Sequence, residues 1–141
     1  MININVETGP RIEKMLNADF DKVIENALIK TGLKSEGTMK KEAPVVTGTL
    51  RRSIGMSHPN MTTVCITAGV KYWVHVQYGT APHQIKVKNK KALSDGKVIY
   101  GKSVQHPGSH PNPFVTRTAN KTRKFFQQLF RQELKNQGYL G

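Results

Sequence analysis

Carboxylates are almost missing from the middle of this chain. Residues 43–132 hold one, Asp95, against fourteen lysines and arginines. That scarcity argues against paired-carboxylate acid–base chemistry and against carboxylate-built magnesium sites there. Cysteine is equally scarce. Cys65 stands alone in the alternating stretch TTVCIT, so no intramolecular disulfide and no CxxC pair can form. It reads as a small buried hydrophobe. A catalytic thiol would need a base and an accessible, electropositive pocket; His75 is a conceivable base, but nothing in the sequence supports it. No run approaches the roughly 18 apolar residues of a membrane span. The opening MININVETGP has neither a basic n-region nor an apolar h-region, so it does not read as a signal peptide. A soluble protein made in a reducing cytoplasm is expected. No GxxxxGK[ST] or GxGxxG loop is present either.

What is there is positive charge, unevenly placed. The formal net charge is +13. Residues 1–42 carry seven basic and seven acidic groups, and residues 133–141 carry one of each. The whole excess therefore lies between residues 43 and 132. A field of one sign usually faces a polyanion or an acidic protein surface, whereas a merely solubilising face mixes both signs.

With 141 residues the chain is expected to form one domain with a real core. Residues 10–30 read as an amphipathic helix, with Ile12, Leu16, Phe20, Val23 and Ala27 at three-to-four spacing. Pro10 suits its first turn. Gly32 and Gly37 either end it or let it run, weakened, to about Ala43, where Pro44 enforces a stop. Leu50 and Ile54 anchor a short connection. A hairpin is expected over 51–57 and 62–69, with Pro59 and Asn60 in its turn and Val64, Ile66 and Ala68 on one face. YWVHVQYGT at 72–80 alternates with period two and competes between strand and short helix, with His75 beside Trp73 read as packed or hydrogen-bonded rather than a ligand, and Gly79 as its stop. Residues 83–105 read as strand-capable arms around an Asp-Gly turn. This arm is too polar to hold itself together, so a neighbour is expected to order it. Residues 114–137 read as a second helix. Phe114, Phe125, Phe126, Leu129, Phe130 and Leu134 form its apolar side, and Arg117, Lys121, Arg123, Lys124 and Arg131 its basic side. The expected fold class is α+β: a small antiparallel sheet packed by a long N-terminal helix and a C-terminal helix, with an extended basic hairpin arm.

Three segments stand in order: APVVTGTLRRSI at 43–54, YWVHVQYGT at 72–80 and HPGSHPNPFVTRTA at 106–119. Together they resemble the small neck or tail-completion proteins of long-tailed bacteriophages, over nearly the whole chain. The matching residues are Ala43, Pro44, Thr47, Gly48, Leu50 and Ser53, then Tyr72, Tyr78, Gly79 and Thr80, then His106, Pro107, Gly108, Pro113 and Phe114. Where that family often has an acid before its aromatic-Gly-Thr segment, this chain has Gln77. The resemblance implies a structural, non-enzymatic virion protein without a cofactor. It implies a homo-oligomeric ring, a hexamer, at the head–tail junction, assembled in the host cytoplasm. Its partners would be itself and the neighbouring connector and tail-tube or tail-terminator proteins, with DNA possible in the channel and no membrane contact.

On this reading the subunit and partner interface comprises Tyr78, Gly79, Thr80, Pro82, His83, His106, Pro107, Gly108, Pro113 and Phe114. Contacts to DNA or an acidic partner fall to Arg51, Arg52, Lys86, Lys88, Lys90, Lys91, Lys97 and Lys102. A sequence-nonspecific nucleic-acid-binding protein is the alternative. A metal-dependent enzyme would have to use His58, His75, His83, His106 and His110. In HPGSHPNPF, however, the prolines forbid the helix that would bring His106 and His110 onto one face. That stretch reads as a rigid elbow between the arm and the last helix.

Overall fold

A computed structural model describes residues 1–5, 18–88, 92–94 and 96–139. The elements are β1 (Ile2–Asn5), α1 (Ala18–Glu42), α2 (Thr49–Ser53), β2 (Ile54–Asn60), β3 (Thr63–Ala68), α3 (Trp73–Tyr78), β4 (His83–Lys86), β5 (Leu93–Ser94), β6 (Ile99–Gly101), β7 (Ser103–His106) and α4 (Phe114–Asn136). The fold is α+β. Its contacts gather in two units, residues 1–71 with 114–141, and residues 72–113. The expected helix start at Pro10, with Ile12 and Leu16, lies outside the described residues.

The first unit holds an antiparallel sheet in the order β1-β3-β2, with β3 in the middle. β3 alternates as its sequence requires. Val64 and Ile66 are fully buried, and Cys65 between them is half-buried rather than a core residue. β1 has no signal in the sequence pattern; its Ile2 and Ile4 pair opposite Ile66 and Val64. The hairpin turn also falls later than expected. Pro59 and Asn60 end β2, and the turn is Met61–Thr62. Proline donates no hydrogen bond to a ladder, so it is tolerated on an edge strand at an irregularity. The β2–β3 register indeed shifts between Ser57 and Asn60. Asn60 Oδ1 then accepts from the Thr62 amide and hydroxyl, each at 3.1 Å, which builds the turn from a side chain.

α1 does not stop at Gly32. It runs on through Gly37 and packs against α4, β2 and β3. Gly32 is buried where the helix meets the sheet. A Cβ there would stand 2.5 Å from both Met56 Sδ and Val64 Cγ1. The glycine that weakens the helix by itself is thus what lets it approach β2 and β3. Ile24, Leu28 and Val64 form the core cluster, flanked by Ile4, Phe20, Met56, Phe126 and Phe130. Phe20 meets Phe130 edge-on at 6.2 Å between centroids. The α1–α4 seam also carries buried polar contacts. The Ser35 and Thr122 hydroxyls are hydrogen-bonded at 2.7 Å. Lys30 pairs with the buried Glu133 at 2.5 Å. At the far end, Arg117 donates to Glu42 at 2.7 Å, and Lys121 binds the other carboxylate oxygen. These two cations, Lys121 first, hold the Glu42 carboxyl below its ordinary value.

Residues 43–54 make a short connection: α2 is a single turn that buries Leu50, and Ile54 is buried at the start of β2. Gly48 precedes α2 with φ +77°, a conformation that glycine adopts without strain.

In the second unit, residues 73–78 form the helix α3, not a strand. In YWVHVQY the period-two pattern competes with a helical one. Trp73, Val76 and Gln77, at i, i+3 and i+4, are the less exposed positions, while Tyr72, Val74, His75 and Tyr78 are exposed. His75 is therefore not packed. The arm is also not one continuous hairpin. β4 pairs with β7, β5 pairs with β6, and Gly101 at φ +88° separates β6 from β7.

Candidate functional site

The YGT and HPGS segments, far apart in sequence, meet in the second unit. Thr80 and Ser109 form an isolated antiparallel bridge, each amide donating to the other's carbonyl at 3.0 Å. Their hydroxyls are hydrogen-bonded at 3.1 Å. Beside this bridge two glycines allow close backbone contact. Gly79 has φ +73°, and a Cβ there would stand 2.4 Å from the Ser109 carbonyl oxygen. Gly108 has φ +86°, and its Cβ would stand 2.3 Å from the Thr80 carbonyl oxygen. Both motif glycines therefore serve one backbone crossing. A side chain at either would push the two segments apart.

His83 and His106 pair across β4 and β7 with ring centroids 5.1 Å apart. Each ring is bound to its own backbone. A carbonyl can only accept, so His83 Nδ1 donates to Ala81 O at 3.0 Å. The Gly108 amide donates to His106 Nδ1 at 3.0 Å. Two Nδ1 atoms thereby fix the stretch 81–83 and the elbow at 106–108. His110 and His75 are exposed, and His58 lies in β2 with Nε2 3.9 Å from Glu25 Oε1. No group of three or more His, Cys, Asp or Glu residues that could hold a metal occurs among the described residues.

The second unit thus brings together Tyr78, Gly79, Thr80, Pro82, His83, His106, Pro107 and Gly108. Tyr78 is 69% exposed, and Pro82 and Pro107 are exposed as well. The elbow continues past Ser109, where the Asn112 amide donates to Val76 O at 2.9 Å. Pro113 is exposed at its end, whereas Phe114 belongs to the other unit and is fully buried. Phe114 is thus a core residue and offers no surface to a partner.

The basic residues are dispersed. Lys86 and Lys102 lie near each other at the end of the β4–β7 ladder, where the Val87 amide donates to Lys102 O. Lys88 and Lys97 are exposed on the arm, and Arg51 and Arg52 are exposed on α2 in the first unit. Lys90 and Lys91 lie outside the described residues. Beside the lysines the arm carries apolar surface that its sequence pattern did not flag. Ile99 is 76% exposed, and Val98 and Tyr100 about half exposed. A groove of about 440 Å³ runs alongside, lined by Ile85, Tyr100, Val104 and Pro107 among others. A two-stranded ladder has no second layer to bury these apolar side chains.

No family model, no curated protein and no solved structure matches this chain. No helix among the described residues is long and apolar enough to cross a membrane.

Proposed function

We propose that this protein is a structural component of a tailed-phage virion, a neck or tail-completion subunit that assembles with copies of itself into a ring at the head–tail junction. One observation carries the assembly part of this reading. The arm exposes Val98, Ile99 and Tyr100 next to an apolar groove, and the paired strands there, of two and three residues, cannot cover them. Exposed apolar surface of this kind marks a protein–protein contact. The order of the TG, YGT and HPG segments supports the virion part, through the resemblance they carry. A closed ring needs two different complementary patches on each subunit. The arm with its apolar strip supplies one of them.

The test is direct. Purified protein, alone or mixed with tail-tube subunits, is expected to form rings visible by negative-stain electron microscopy. Ile99→Asp is expected to abolish them while leaving the circular dichroism spectrum unchanged. A parent protein that stays monomeric and binds no connector or tail partner overturns the reading.

A further inference from the structure

From the surface of α4 we infer a binding site for the backbone of duplex DNA, separate from the arm and independent of whether the chain forms rings. The observation is a stripe. At 100° per residue, positions 117, 121, 124, 128, 131 and 135 fall within an arc of about 80°. They are Arg117, Lys121, Lys124, Gln128, Arg131 and Lys135. All but the half-buried Arg117 are exposed. The stripe is about 27 Å long at 1.5 Å per residue. That is the length of about eight base pairs of duplex at 3.4 Å each.

The handling of acids on this helix separates the stripe from an ordinary solvated face. α4 has one carboxylate, Glu133, and it is 4% exposed and committed to Lys30 of α1 at 2.5 Å. No exposed carboxylate interrupts the helix. Glu42 engages Arg117 and Lys121 at one end of the stripe. Lys124, Arg131 and Lys135 make no ion pair with any described carboxylate within 4.0 Å. The helix dipole accounts for cations in the last turn, such as Lys135, but not for those at the start and middle.

The chemistry between the cations selects the partner. Asn120, Gln127, Gln128 and Gln132 are exposed among them, and no aromatic or aliphatic side chain interrupts the stripe. An interface with an acidic protein is built around a desolvated apolar or aromatic centre, which this face lacks. Phosphate oxygens accept from side-chain amides and cations without an apolar centre, and protein–DNA interfaces are polar, cationic and wet. Single-stranded nucleic acid would call for stacking rings. The α4 rings Phe126 and Phe130 instead stack on each other against the core, and Phe125 lies under Lys34.

The experiment is fluorescence anisotropy of the full chain with a labelled random-sequence duplex across a salt series. The variant Lys124→Gln/Arg131→Gln/Lys135→Gln is compared with Lys86→Gln/Lys88→Gln/Lys97→Gln/Lys102→Gln. The parent is expected to bind at low salt. The α4 variant is expected to lose roughly tenfold or more in affinity, and its log–log salt slope to flatten by about 3, near 0.9 for each cation removed. Changing Lys124 and Lys135 to arginine is expected to keep binding, and the arm variant to bind as the parent does. All the replaced side chains are exposed, and thermal melts check that every variant is folded. The inference is overturned if the parent fails to bind at low salt, or if the α4 variant binds with an unchanged slope. It is also overturned if the arm variant alone loses binding, or if poly-glutamate displaces the protein as well as unlabelled duplex does at equal charge.

Discussion

Gly32 and Gly37 sit five residues apart in α1, yet they do opposite things. An isolated glycine in a helix costs about 1 kcal/mol relative to alanine. At Gly37 nothing lies within 4 Å of an added Cβ, so Gly37→Ala is expected to stabilise the fold by about 0.5–1 kcal/mol. At Gly32 the added methyl meets Met56 and the buried, β-branched Val64. Gly32→Ala is expected to destabilise by about 1–3 kcal/mol through overpacking, despite its better helix propensity. Urea unfolding of the two variants checks both signs, and a stabilised Gly32→Ala would refute the close approach of helix and sheet. The same logic separates Gly108 from Gly101. Both have φ near +87°, but only Gly108 faces backbone, at the Thr80 carbonyl. Gly108→Ala is expected to speed amide exchange at Thr80 and Ser109 markedly. Gly101→Ala, with open space around it, should show only backbone strain of order 1–2 kcal/mol. The sequence names these glycines but does not distinguish them, because the distinction lies in what stands opposite each Cα.

At the scale of elements, Glu42 is the tie between the end of α1 and the start of α4. Its folded-state pKa is depressed by Lys121 and Arg117. The stabilisation is therefore present above its ordinary value of 4.5 and is lost as pH falls through the lower, folded value. Glu42→Gln is expected to be less stable than the parent at pH 7, with the gap closing as pH falls from 4.5 through the lower, folded value. A gap that stays constant from pH 7 to pH 3 in urea titrations would remove the ion pairs as its cause. The elements differ in how readily they were read. α4 was legible because its aromatics recur over many turns while its cations hold the opposite side. α3 was not, since six residues are too few to separate period two from period 3.6 when Tyr72, Val74, Val76 and Tyr78 alternate. The sequence leaves the length of α1 open because a glycine's local cost is visible in it while the packing it permits is not. β1 is not legible because ININ is too short to declare itself without Val64 and Ile66 opposite. The site was half legible. Its residues stand in the sequence as two motifs, but their meeting at Thr80 and Ser109 depends on a pairing that neither motif contains.

For the whole molecule, the elbow makes the most discriminating prediction. Pro107→Ala/Pro113→Ala is expected to leave the chain folded, because both prolines are exposed, yet to weaken ring formation by loosening the stretch between the arm and α4. Sedimentation velocity of parent and variant at matched concentration reads the result, and rings that survive unchanged would show that the elbow does not aim anything. The Thr80–Ser109 bridge has a further effect, on how the chain can change. It clamps both ends of everything between residues 81 and 108, so the span inside it is a closed loop with fixed roots. Length added as flexible loop costs only about 0.6 kcal/mol of closure entropy for each doubling. Gly96, exposed at the tip with open space around it, is where added length would be least felt. The arm is thus a cassette. Its tip can lengthen, shorten or be exchanged while the clamp keeps the two roots of the span together.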